Sequence, residues 1–127
     1  MALNVRVTEN RPFSRTLRLE GRLDSETAPV LDGEVAKVVN STATVMVLNL
    51  ADLEYISSAG LRSIFSAQQS MAKRAGRTVL VNAQPQVQKV FDIVKAVDLG
   101  AVFVSIEELD EYLDAMQRQV VTGEPPH

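Results

Sequence analysis

The chain has no cysteine and no tryptophan, and its one histidine, His127, is the last residue. The missing thiols exclude disulfides, thiolate catalysis and cysteine-ligated metal sites. A histidine confined to the terminus leaves a serine nucleophile without a general base, and the GxSxG elbow of serine hydrolases is missing too. No GxxxxGK[ST] loop is present to cradle a nucleotide phosphate, and no paired carboxylates stand out for acid–base work. The sequence therefore implies neither an enzyme nor a cofactor. Long apolar runs are missing as well: no segment approaches the roughly 18 apolar residues of a membrane helix. The opening MALNVRVTENRPF lacks the apolar core of a signal peptide. Net charge is −3, from 13 basic and 16 acidic side chains, which gives no general pull toward nucleic acid or an anionic membrane. A cytoplasmic protein is expected, with no nucleic-acid binding and no direct membrane insertion.

What remains is the make-up of an ordinary globular domain, 46% hydrophobic and 23% charged but only 5% aromatic. A chain of 127 residues fits one core, here built mainly from Val, Leu, Ile and Ala. Residues Asn4 to Thr8 and Thr16 to Glu20 alternate like paired strands around a turn-like ENRP segment, with Gly21 ending the second. Asp24 or Ser25 is placed to cap a helix over Thr27 to Asn40, with Pro29 in its first turn. The apolar run from Thr42 to Leu50 predicts a central strand covered on both faces. Leu61, Ile64, Phe65 and Met71 then follow helical spacing up to Ala75, with a stop at Gly76.

Thr78 to Asn82 forms a further buried strand, and Pro85 starts a helix carrying Val87, Val90, Phe91 and Val94. A last small strand is expected within Leu99 to Ser105. From Ile106 a helix presents Leu109, Tyr112, Leu113 and Met116 on one face, and its early acidic run, Glu107, Glu108, Asp110 and Glu111, reads as a solvated first turn. The expected architecture is α/β, one mixed β-sheet with about four helices packed mainly on one face. The domain is expected to span residues 1–119, with 120–127 a flexible tail.

The stretch YISSAGLRS, Tyr55 to Ser63, sits where a strand turns into the longest of these helices. Serine is favoured at a helix N-cap, because its hydroxyl accepts a hydrogen bond from an otherwise unpaired amide. The same helix terminus, with its partial positive charge, tolerates an anion such as phosphate. Ser57 and Ser58 are thus both caps in the making and candidate phosphoacceptors. Ala59 and Gly60 form a small platform that either lets the helix pack closely on the sheet or lets another chain approach. Arg62 and Arg15 are most simply solvated, and the spacing of Leu61 and Ile64, like that of Phe91, places them in the core.

The string GRLDSETA, VMVLNLADLEYISSAGLRSI and AGRTVLVNAQPQVQKVFDIVKAVDLG resembles the STAS-domain proteins, most of all the stand-alone anti-sigma factor antagonists of bacteria. The resemblance runs from Val5 to about Leu113 and implies a STAS-like domain. It also implies partner switching. The unphosphorylated protein binds an anti-sigma factor that is itself a serine kinase of the GHKL type, freeing the sigma factor. Phosphorylation of Ser58 releases the kinase, and a PP2C-type phosphatase resets the cycle. Asp24 matches the family's loop aspartate on the partner-binding face, which by the same resemblance includes Ser57, Ser58, Ala59, Gly60, Leu61 and Arg62. Many members read Asp-Ser-Ser-Gly or Asp-Ser-Thr-Gly where this chain reads Ser57-Ser58-Ala59-Gly60, so the acidic neighbour of the acceptor serine is replaced and Ser57 is a second candidate acceptor. The alternative is a non-switching STAS subunit of a lipid-transport or sensory complex, using the same face as a permanent interface.

Overall fold

The computed structural model describes residues 2–96 and 105–123. Its elements run β1 (Leu3–Arg11), β2 (Ser14–Leu23), α1 (Ala28–Val39), β3 (Val45–Ile56), α2 (Ser58–Lys73), β4 (Arg77–Val81), α3 (Pro85–Ala96) and α4 (Ile106–Thr122). The strands form one sheet in the order β1-β2-β3-β4. β1 and β2 are antiparallel, while β2–β3 and β3–β4 are parallel. The sheet is therefore mixed, as expected. The strand expected within Leu99 to Ser105 lies outside the described residues, apart from Ser105 itself.

Both parallel crossovers advance the same way along the sheet, so a single handedness puts α1 and α2 on one face. There Leu31, Val35 and Val38 of α1 and Leu61, Ile64, Ala67 and Met71 of α2 share one buried cluster with Leu17, Leu19, Met46, Leu48 and Leu50 of the strands. Val87 and Val90 of α3 and Leu113 and Met116 of α4 join the same cluster. β3 is not covered on both faces, however. Met46, Leu48 and Leu50 are buried, whereas the intervening Val45, Val47 and Asn49 are only half-buried. Helices close one side of the sheet, and a period of two then exposes every other side chain on the second side.

Gly21 does not end β2. It sits inside the strand at φ +111, where a Cβ would fall 2.4 Å from the Ala2 carbonyl oxygen, and the pairing with β3 slips on either side of it. The slips carry β2 on to Leu23 and β3 on to Ile56, so ADLEYI continues the strand beyond its expected end at Leu50. This extension has consequences. β4 accompanies β3 only as far as the Asn49–Val81 pair, which leaves the outer backbone of Ala51 to Ile56 without a strand partner among the described residues.

Glutamines take that place. The Gln84 amide donates to the Ala51 carbonyl at 2.8 Å, and the Gln86 amide donates to the Glu54 carbonyl at 3.0 Å. From α4, Gln117 closes on Ile56 twice. Its Nε2 donates to the Ile56 carbonyl at 2.8 Å, and its Oε1 accepts from the Ile56 amide at 3.0 Å. Gln117 is fully enclosed at 2% exposed, one turn beyond Leu113, whereas Tyr112, placed by spacing on the apolar face, is 39% exposed. The buried stripe of α4 thus runs through Leu113, Met116 and Gln117.

Helix α4 also outlasts its expected end. Val120 to Thr122, assigned to a flexible tail from the sequence, continue the helix, which closes at Gly123 with φ 73 and its amide bonded to the Gln119 carbonyl. A left-handed glycine is an efficient stop, and valines accept helix where the following cap holds. Because Gln117 satisfies both backbone groups of Ile56, Gln117→Ala leaves a buried donor and acceptor unpaired. It is expected to cost about 3 kcal/mol in urea unfolding, against little change for Gln88→Ala on the exposed face of α3.

Candidate functional site

The serine pair stands where β3 passes into α2. Ser57 has extended backbone (φ −98, ψ 178) and its hydroxyl accepts from the Gly60 amide at 3.3 Å; the expected N-cap is Ser57. Its own amide donates to the Leu23 carbonyl at 2.9 Å, tying the entry to α2 to the end of β2. Ser58 is the first helical residue. Its amide donates to Oδ1 of Asp110, on α4, at 2.9 Å. Its hydroxyl is enclosed and meets no hydrogen-bond partner among the described residues.

Asp24 follows directly on Leu23, beside the serine entry. Its Oδ1 accepts from the amides of Glu26 at 3.0 Å and Thr27 at 3.1 Å, and from the Thr27 hydroxyl at 3.2 Å. Neither cap proposed from sequence is the N-cap of α1, which is Thr27 and makes no side-chain cap bond; Asp24 instead organises the turn that leads into the helix. Its carboxylate is already engaged, and it sits half-buried at the surface.

Gly60 is decided by the packing. A Cβ there would lie 2.8 Å from both the Leu23 carbonyl oxygen and Cγ, and 3.0 Å from Ile56 Cγ1. The glycine lets the first turn of α2 rest on the ends of β2 and β3, so close approach by another chain is not what it serves. Leu61 is likewise a core residue at 5% exposed. Of the residues assigned to a docking face, Arg62 is exposed and Ala59 and Asp24 are half-buried, while Ser57, Ser58, Gly60 and Leu61 are buried. Arg15 is not simply solvated: it donates to the carbonyls of Pro12 and Ser14 at 3.2 Å. Phe91 packs, partly buried, against the core.

Two residues escaped sequence reasoning. Asp110 was assigned to a solvated turn, yet it is half-buried and reaches the α2 N-terminus. Gln117 was not singled out, although its place one turn beyond Leu113 on an apolar stripe was a signal. Around them the site is acidic. Burial raises the Tyr55 phenol above its ordinary pKa, and the charges of Asp114, Asp110 and Asp24 add to the rise; the Arg22 guanidinium, 3.9 Å from the ring centroid, opposes it.

The STAS-domain family model matches residues 3–109 of the chain. The chain belongs to the STAS-domain family. Among individual STAS relatives, the "Putative anti-sigma factor antagonist BtrV" of Bordetella bronchiseptica is 37% identical over 75 residues, 59% of this chain and 65% of that protein. The match thus spans somewhat under two thirds of the relative's length. A solved anti-sigma factor antagonist from Mycobacterium paratuberculosis superposes with a TM-score of 0.65 at 23% identity, covering 91% of this chain and 94% of the other. The anti-sigma factor antagonist SpoIIAA in its unphosphorylated form gives 0.61 at 22% identity, covering 71% and 83%. SpoIIAA in its phosphorylated form gives 0.62 at the same identity. These three structural likenesses carry the fold: a single STAS α/β domain.

Gly60→Ala forces either the Leu23 backbone or the α2 axis to move, and an expected loss of about 1–3 kcal/mol is measurable by urea denaturation. Tyr55 gives a pH signature. Its raised pKa in the folded state means that the unfolded chain ionises first, so this contribution is intact below pH of about 10 and falls away as pH rises further. Tyr55→Phe should flatten that alkaline decline in a series of unfolding curves.

Proposed function

We propose that this STAS domain is a non-catalytic protein switch, an anti-sigma factor antagonist with Ser58 as its phosphoacceptor. The observation that carries the reading is the position of Ser58 as first residue of α2, beside its cap Ser57 and next to the Asp24 turn. A hydroxyl there is flanked by helix amides that receive an anion, and the ester brings roughly 1.5–2 negative charges into a site already lined by carboxylates. Unphosphorylated, the domain docks on an anti-sigma factor through Arg62, Ala59 and the Asp24 turn. Phosphorylated, it lets go.

In the transfer step Ser58 Oγ bonds to the γ-phosphorus of a nucleoside triphosphate held by the partner. The bond from that phosphorus to the diphosphate leaving group breaks, and the serine proton passes to a base on the partner. The kinase is then the anti-sigma factor itself, of GHKL type, and a PP2C-type phosphatase reverses the modification in the cytoplasm. The names carried by BtrV and SpoIIAA support the same reading. So does the chain's lack of a histidine base or a phosphate-cradling glycine loop, since chemistry then has to come from the partner. Among the described residues no helix is long and apolar enough to cross a membrane.

The test is capture of binding proteins from the native bacterium with the tagged chain, followed by site-localised mass spectrometry of the recovered protein. A GHKL-type kinase in the eluate and a phosphate on Ser58 are the expected results. Ser58→Ala should keep the kinase bound in the presence of ATP, while wild type dissociates. Recovery of an unmodified chain in a stable transport or sensory assembly would replace this reading with that of a constitutive STAS subunit.

A further inference from the structure

The N-terminus of α2 already holds an anion, and it comes from the same chain. Asp110 extends from the first turns of α4 to accept the Ser58 amide at 2.9 Å. The Ser58 hydroxyl beside it is sealed: the residue is 8% exposed, and Oγ has no partner among the described residues. A phosphate on that oxygen would draw on the amides at the same helix end. It would also stand beside a carboxylate, and two such charges in contact repel strongly in a half-buried setting. One of the two has to leave, and the phosphate is covalently attached.

The two ends of α4 are held differently. Its C-terminal half is fixed by the paired bonds of Gln117 to Ile56 and by the burial of Leu113 and Met116. Its first two turns carry exposed Ile106, Glu107 and Glu108 and half-buried Leu109, with Asp110 as the polar tie to α2. The helix can therefore lift at its start without losing its anchor.

We propose that Asp110 is a built-in carboxylate plug for the α2 N-terminus, latching the start of α4 over Ser58, and that phosphate on Ser58 evicts it. The inference rests on Ser58 as the phosphoacceptor. Asp110 acts as a positioning residue. It ties the Ser58 amide to α4 in the resting state, and its expulsion turns a local charge into movement of a helix.

The experiment installs phosphoserine at position 58 during translation and follows hydrogen–deuterium exchange by mass spectrometry. Exchange over residues 106–113 is expected to accelerate about tenfold on phosphorylation, with much less change over 117–122. In Asp110→Asn, which keeps the shape and loses the charge, the start of α4 should exchange faster before any phosphate is added, and the phosphate should add about twofold or less. Asp110→Glu, which keeps the charge, should preserve the full response and serves if the Asn variant proves too loose to measure. Unchanged exchange in the phosphorylated wild type, or an equal acceleration with and without the Asp110 charge, would overturn the latch. Because the phosphate is installed without a kinase, these outcomes are separate from the functional reading, which fails instead if the native partner leaves Ser58 unmodified.

Discussion

The paired hydrogen bonds between Gln117 and Ile56 hold together the part of the molecule that matters most. A parallel strand that outruns its neighbour exposes a row of backbone donors and acceptors, and burying such groups unpaired is costly. β3 does outrun β4, and its last residue before the serine pair is Ile56. Gln117 supplies what a strand would have supplied, one donor and one acceptor with the spacing of a peptide group. The same contact brings α4 down on the α2 N-terminus, so the strand end, the helix start and the terminal helix share one fixed point.

From that point the site follows by short steps. The Ser57 amide bonds to the Leu23 carbonyl and its hydroxyl bonds to the Gly60 amide, while Gly60 leaves room for the helix to rest on Leu23. Asp24, next in the chain, organises the turn into α1. The ends of β2 and β3 are thereby joined to the starts of α1 and α2 at one spot. The carboxylates of Asp24, Asp110 and Asp114 give that spot an acidic character, and they add to the rise that burial produces in the pKa of the Tyr55 phenol. Any further negative charge there acts against charges already in place.

Much of this domain was legible locally. Helix starts are written in a few adjacent residues, so a serine cap at the head of α2, Pro29 in the first turn of α1 and Pro85 at the head of α3 could be read directly. Strand extents were not so legible. Gly21 resembles a terminator until the close approach of the Ala2 carbonyl shows why a side chain is missing from the strand interior, and the apolar run stops at Leu50 although β3 continues through ADLEYI, where β2 pairs with it. The half-exposed second face of β3 was hidden for a related reason. Val45 and Val47 look no different from core residues until the positions of the helices are known.

The sequence by itself determined the composition and the local signals: no cysteine, one histidine, no long apolar run, a mixed α/β order, and two serines at a helix start. Each of these depends on composition or on residues within one or two turns of each other, where bonding geometry leaves few choices. Only the tertiary structure decided that Ser58 is covered, that Gly60 faces inward, and that Asp110 and Gln117 belong to the site. Their partners lie 52 and 61 positions away along the chain. An acidic side chain on a helix is solvated by default, and nothing in its neighbours records which backbone amide the fold will bring to it.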